Sequence, residues 1–298
     1  MLTRVYRPLA PVDVRRTLAP LVHGPDRTNR FVDGAFWRVT VTPDGPATMR
    51  ITQQAGEITG QAWGAGAERA LVDLPDLLGA RDSLEGFDPQ HPLLVETHRR
   101  HPGLRLVRTG RVFEVLVPAV LEQKVTGKEA MAAFSTLLAR YGGQPPGPAP
   151  APMRIPPGPE VWRTIPSWDW HRAAVDPRRM RTVLAAAPLA SRLEQAVDLA
   201  PDAALARLRA VPGVGVWTAA EIAQRAFGDP DTVSVGDYHL AAFVGWALVG
   251  KPVDDDGMLE LLEPWRGHRQ RVVRLLELSG AAKPRFGPRL TISDHRRH

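Results

Sequence analysis

Between Leu208 and Leu240 the chain reads LRAVPGVGVWTAAEIAQRAFGDPDTVSVGDYHL, and most of its chemistry-bearing residues fall in or around this stretch. The tight turn Val211-Pro212-Gly213-Val214-Gly215 joins the end of one apolar helix to the start of another, read over Val216 to Phe227. Gly213 and Gly215 let the backbone take left-handed torsions and come close to a partner. The amides of Gly215, Val216 and Trp217 stand at a helix N-terminus, where free donors and partial positive charge gather. A phosphate oxygen fits there without a Lys or Arg. An ordinary corner between two helices would carry the same glycines. Beyond a turn-rich loop, however, the β-like run Thr232 to Val235 ends in Gly236-Asp237-Tyr238. One carboxylate therefore stands at a fixed distance past a backbone grip. The pair reads as DNA held at its backbone and cut at its sugar.

Asp237 is the candidate catalytic residue. Removing a base from deoxyribose develops positive charge on the sugar, and a carboxylate near C1′ stabilises that charge and can steer a water. Asp237 also directly precedes the helix read over Tyr238 to Val249, so it can serve as an N-cap, and one side chain can do both. Trp217 follows the turn as either a pocket ring or a core residue; an electron-rich ring suits a cationic base. No Lys occurs between Lys128 and Lys251, so this segment offers no amine for Schiff-base chemistry.

These residues resemble the helix-hairpin-helix DNA glycosylase superfamily and, within it, the 3-methyladenine DNA glycosylase II family. The likeness runs through Val211, Pro212, Gly213, Gly215, Trp217, Thr218 and Ala219 at the hairpin, then Asp237, Tyr238 and Leu240. Leu121-Glu122-Gln123-Lys124-Val125-Thr126 and Glu263-Pro264-Trp265-Arg266 match two further motifs, so order and spacing agree across about residues 106 to 278. The resemblance implies a monofunctional base-excision repair glycosylase that hydrolyses the N-glycosidic bond of a flipped, damaged base in double-stranded DNA. An N-alkylated purine such as 3-methyladenine is the implied substrate. The alternatives are a glycosylase for oxidised or deaminated bases and a non-catalytic helix-hairpin-helix DNA-binding protein.

The resemblance also assigns roles. Trp217, Tyr238, Glu221 and Arg274 fall at base-pocket positions, and Gln123, Lys124, Gly213, Gly215, Val216 and Thr218 at DNA-binding ones. Trp217 stands where bifunctional relatives carry the Schiff-base Lys. Three positions depart from the pattern: Lys124 stands where the family has an apolar wedge, Glu221 where it has a Tyr, and Arg274 where it has a Trp. Trp168 and Trp170 are the rings available as replacements. Glu221 either faces the base or pairs with Arg225 one turn on. Family hairpins often hold a monovalent cation through turn carbonyls, here those of Val211 and Val214; no other cofactor is implied.

Composition agrees with this reading. The 298 residues carry a net charge of +6, which favours a polyanionic partner. There is no cysteine, so disulfides, thiol catalysis and the four-cysteine iron–sulfur cluster of one superfamily branch are excluded. The histidines, His239 and His268 among them, lack zinc-ligand spacing, and no metal is assigned. No apolar run is long enough to span a bilayer and no signal peptide opens the sequence, so a soluble, cytoplasmic monomer is expected.

The elements that must position this chemistry fall into unlike regions, and the predicted fold is mainly α with an N-terminal α+β domain. Residues 1–105 are read as a small domain with an antiparallel sheet, with strands at Phe36 to Thr42, Ala47 to Thr52 and Glu57 to Trp63. Residues 106–282 form the helical helix-hairpin-helix glycosylase core. It is interrupted at 142–159 by a Pro-rich linker, read as an extended surface spacer. Residues 283–298 form a basic tail.

Overall fold

The computed structural model describes residues 1–281; the predicted basic tail, 283–298, lies outside the described residues. Five strands form one antiparallel sheet: β1 (Leu2–Tyr6), β2 (Asn29–Val32), β3 (Ala35–Thr42), β4 (Gly45–Gln54) and β5 (Glu57–Trp63), in the order β1-β5-β4-β3-β2. The three predicted strands are β3, β4 and β5. β1 and β2 are short edge strands that carry little alternation of their own. Their place comes from neighbours, Val5 opposite Thr59 and Phe31 opposite Phe36.

β3 is buried along almost its whole length. One face supplies Phe36 to a core with Met49, Ile51, Ile58, Leu71 and Leu74. The other face, Trp37 and Val39, is covered by Met153 and Ile155 of the Pro-rich segment. That segment is therefore a strap across the sheet and not a surface spacer. Its prolines keep it extended while two apolar side chains find a dry face. Gly147, at φ +72°, passes so close to the sheet that a Cβ would lie 2.3 Å from the Trp63 ring, which only glycine tolerates.

The helical body is organised round Val112–Leu121, which is buried on every side. Gly127–Tyr141, Pro177–Ala186 and Val216–Ile222 pack on it in one apolar cluster. Its N-terminus, where backbone donors lack helical partners, is met by the Glu194 carboxylate, which accepts from Val112 N (2.8 Å) and Phe113 N (2.9 Å). A second helical cluster gathers Val244, Met258, Leu262, Trp265 and the face of Arg269–Leu278. Leu94 and Leu104 also belong to it, so the helix Pro92–Arg100 packs with the C-terminal helices and not with the sheet.

Candidate active site

The hairpin is anchored by its apolar residues. Leu208, Val211 and Val214 are buried in the main helical cluster, so Pro212, Gly213, Gly215 and Val216 are left on the outer lip. Val211 O accepts from Val214 N at 3.0 Å, so the turn is closed by its own hydrogen bond. The two glycines differ. Gly213 has φ +90°, and a Cβ there would lie 2.0 Å from Thr182 Oγ1. Gly215 has φ −92° and ψ −172°, ordinary extended backbone, with no atom near its missing Cβ. The expectation that both glycines need left-handed torsions is thus met at Gly213 alone. Within the helix the first bond is Ala219 N to Gly215 O, at 3.0 Å, so the earlier amides have no helical partner.

Gln123 and Thr218 were expected to face DNA. Instead they face each other: Gln123 Nε2 donates to Thr218 Oγ1 (2.9 Å) and to Gly213 O (3.0 Å), and Thr218 is buried. Gln123 is a strut under the hairpin, because a buried hydroxyl and a turn carbonyl both need a donor. Lys124 is exposed beside it, at φ +56°.

Asp237 accepts three hydrogen bonds. Oδ1 takes His239 N (2.8 Å) and Leu240 N (3.0 Å), and Oδ2 takes the indole Nε1 of Trp217 (3.1 Å). The carboxylate therefore holds the first amides of the following helix, whose N-cap residue is His239, and is clasped to the hairpin helix at once. It also lines a cavity of about 480 Å³ between the hairpin helix, Leu240–Val249 and Arg269–Leu278. Trp217 supports the carboxylate and is not part of the cavity wall. Tyr238, read as a pocket residue, is 79% exposed and lies outside the cavity, its ring edge-on to His239.

Glu221 and Arg274 do line the cavity, but each has a partner. Glu221 Oε2 pairs with Arg225 at 2.7 Å, and Oε1 accepts from the buried Ser234 hydroxyl. Burial works against the charge on Arg225, but Glu221 and Glu122 outweigh it and hold the guanidinium above its usual value. Glu122 in turn is pushed up by burial and pulled further down by its hydrogen bond from His23, so its carboxyl lies below the usual range. Arg274 pairs with Glu277. The rings in the wall are His239 and Phe243. Trp170 is buried in the core against Trp162 and Trp168 is exposed, so neither replaces the missing pocket rings.

Residues that sequence reasoning did not single out complete the wall: Arg105, Gln224, Ser234, Phe243 and Gln270. Phe243 and Gln270 sit on apolar-patterned helices and carry no local signal. Only the packing of three distant segments brings them together. Among the described residues no group of three His, Asp or Glu could hold a metal, and no helix is long and apolar enough to cross a membrane.

No protein-family model matches the chain. It is 34% identical over 181 residues to a probable bifunctional transcriptional activator/DNA repair enzyme AlkA of Mycobacterium tuberculosis, a match that takes in 58% of this chain and 34% of that relative. The chain thus spans about a third of the length of the curated relative it matches. Its fold is that of a 3-methyladenine DNA-glycosylase from Archaeoglobus fulgidus, with a TM-score of 0.77 at 16% identity over 93% of this chain and 98% of that one. An 8-oxoguanine glycosylase/lyase from Clostridium acetobutylicum superposes with a TM-score of 0.71 at 11% identity, over 93% and 96% of the two chains. The sequence match and a fold shared over nearly the whole chain agree with the resemblance read from the hairpin motif.

Proposed function

We propose that the protein is a monofunctional DNA glycosylase that hydrolyses the N-glycosidic bond of a flipped, N-alkylated purine in double-stranded DNA. The observation that carries this reading is Asp237, fixed by three hydrogen bonds at the wall of a base-sized cavity and beside the hairpin. The amides at the exposed Gly215 and Val216 take a phosphate oxygen. The base enters the cavity, and as its bond to C1′ lengthens, positive charge grows on the sugar. Asp237 stabilises that charge without having to move. A water completes the displacement, giving a free base and an abasic site. An N-alkylated purine leaves without being protonated first, so a single carboxylate suffices.

The residue at the start of the hairpin helix supports the monofunctional outcome. Trp217 offers an indole N–H, already committed to Asp237, and no amine. The test is incubation of the purified protein with duplexes each bearing one lesion: methylated purines, 8-oxoguanine, uracil or none. Release of free 3-methyladenine, strands that break only after alkali, and no adduct trapped by borohydride are the expected results. Release of 8-oxoguanine or uracil in preference to every methylated base would replace the substrate; a trapped adduct would replace the mechanism.

A further inference from the structure

Charge on the surface is not evenly matched. Exposed arginines away from the hairpin are neutralised in place, Arg7 by Glu57, Arg69 by Asp73 and Arg99 by Glu96. Around the hairpin the pattern reverses. Lys124, Arg178, Arg181 and Arg209 are all exposed, and among the described residues no ion pair takes up any of them. Arg181 Nε donates to Pro177 O (3.0 Å), a neutral partner that leaves the charge uncompensated. Two carboxylates of this corner are already committed, Asp176 to Arg179 and Glu122 to His23. Like charges gathered without counter-charges repel one another, and a polyanion relieves that repulsion.

Separate segments bring these cations to one corner. Thr182, on Pro177–Ala186, lies against the turn, where a Cβ at Gly213 would meet its Oγ1 at 2.0 Å. Arg178 stands one turn before Thr182 on the same face, and Arg181 directly precedes it. Arg209 ends the helix Pro201–Arg209, just ahead of Val211 and Pro212. Lys124 follows Gln123, whose side chain donates to Gly213 O (3.0 Å). The buried Arg179 donates to Leu121 O (2.6 Å) and to Ala174 O (3.1 Å), and so ties the start of Pro177–Ala186 to the end of Val112–Leu121. Resting on the reading that the hairpin lip meets DNA, we infer that Lys124, Arg178, Arg181 and Arg209 form a cationic rim that holds further phosphates of the duplex. The lip grips one phosphate through backbone amides; the rim adds contacts through guanidinium forks and one ammonium. Lys124 then serves the backbone of the duplex instead of filling a gap in its stack.

The test follows binding to lesion-free duplex by fluorescence anisotropy over a range of salt concentrations. In Arg178→Gln/Arg181→Gln/Arg209→Gln the slope of log affinity against log salt should be shallower than wild type by about 2.7. Affinity at about 0.1 M salt should fall roughly 100-fold, equally for damaged and undamaged duplex. Each single variant should carry about 0.9 of the change in slope, so the outcome does not depend on the triple variant folding. The control, Arg7→Gln/Arg69→Gln/Arg99→Gln, removes the same net charge elsewhere and should leave the slope within about 0.9 of wild type. Circular dichroism checks each fold. Folded rim variants that keep the wild-type slope, or a control that loses as much as the rim variant, overturn the inference while the glycosylase reading stands. A wild-type protein whose rim variants lose slope as expected but which releases no base overturns the glycosylase reading and leaves the rim in place. One that binds no duplex overturns both.

Discussion

The two ends of one helical segment, Val216 to Phe227, serve the site by different means. At its start the backbone is what matters: the lip of Gly213, Gly215 and Val216 is shaped by buried valines below it and by the Gln123 strut. One turn and more along, Glu221, Gln224 and Arg225 present side chains to the cavity, each tied into an ion pair or hydrogen bond. A backbone grip tolerates change in any side chain that does not alter its path, and it meets every DNA alike. A side-chain wall can be rebuilt residue by residue to take another base. On the proposed function, the comparison assigns affinity and the reaction to the hairpin and Asp237, and selectivity to the wall.

The sharpest way to break this division is Asp237→Asn, with the largest expected effect. The amide oxygen can still accept from His239 N and Leu240 N. The NH₂, however, would face the Trp217 N–H, and the negative charge is gone. Base release should fall by at least about 10²–10³-fold, the loss typical of removing one electrostatic contact to a transition state. Stability should change by only about 1 kcal/mol for one lost hydrogen bond, and binding to undamaged duplex should not change. Release at the wild-type rate would move the chemistry away from Asp237.

A middle-sized effect should separate the two hairpin glycines. Gly213→Val drives a side chain into Thr182 from a left-handed backbone, and the fold should lose roughly 3 kcal/mol. Thr182→Ala should recover part of that loss in the double variant. Gly215→Val meets no protein atom and needs no unusual torsion, so melting should be unchanged. If the lip is the phosphate grip, the added side chain stands where DNA must approach. Affinity for damaged and undamaged duplex alike should then fall about tenfold, with the salt dependence shallower by roughly one phosphate. A folded Gly215→Val that binds like the parent would make the hairpin a structural corner only.

The division also explains what was legible in the sequence. The hairpin and the carboxylate are local, so their motif singled out Gly213, Gly215, Trp217 and Asp237, and the family resemblance supplied the roles proposed for them. The strand patterns of β3, β4 and β5 were legible for the same reason: alternation is a property of the strand itself. What was hidden depends on distant partners. β1 and β2 take their place from the neighbours they pair with, and the Pro-rich strap shows no period because its prolines exclude one, yet Met153 and Ile155 cover Trp37. Gln123 and Thr218 read as DNA-facing because nothing in the sequence says that they meet. Gln270 gave no signal at all; its burial at the cavity wall exists only once three segments have come together.

The smallest effect concerns the brace that holds the wall in place. Asp231 accepts from Arg269 Nε (2.8 Å) and from the backbone amides of Gly267 (2.7 Å) and Arg269 (3.1 Å). Burial pushes its carboxyl up, but these bonds and the guanidinium outweigh burial, and its pKa lies below the ordinary value. In the unfolded chain an Asp titrates near about 3.9. Above that both states are ionised and the brace contributes in full. As the pH falls below about 4 the unfolded chain binds its proton first, and the contribution shrinks until the lowered folded pKa is passed. Asp231→Asn should therefore cost about 1 kcal/mol, constant from neutral pH down to about 5, because the pair is partly exposed and solvent screens it. The gap to wild type should narrow in melts taken at progressively lower pH. The brace lies at the start of Arg269–Leu278, a helix of the cavity wall, and not under the hairpin, so the variant should loosen the choice between lesions while binding to plain duplex stays the same. A variant whose plain-duplex binding falls along with its base selectivity would mean that grip and wall are one coupled unit.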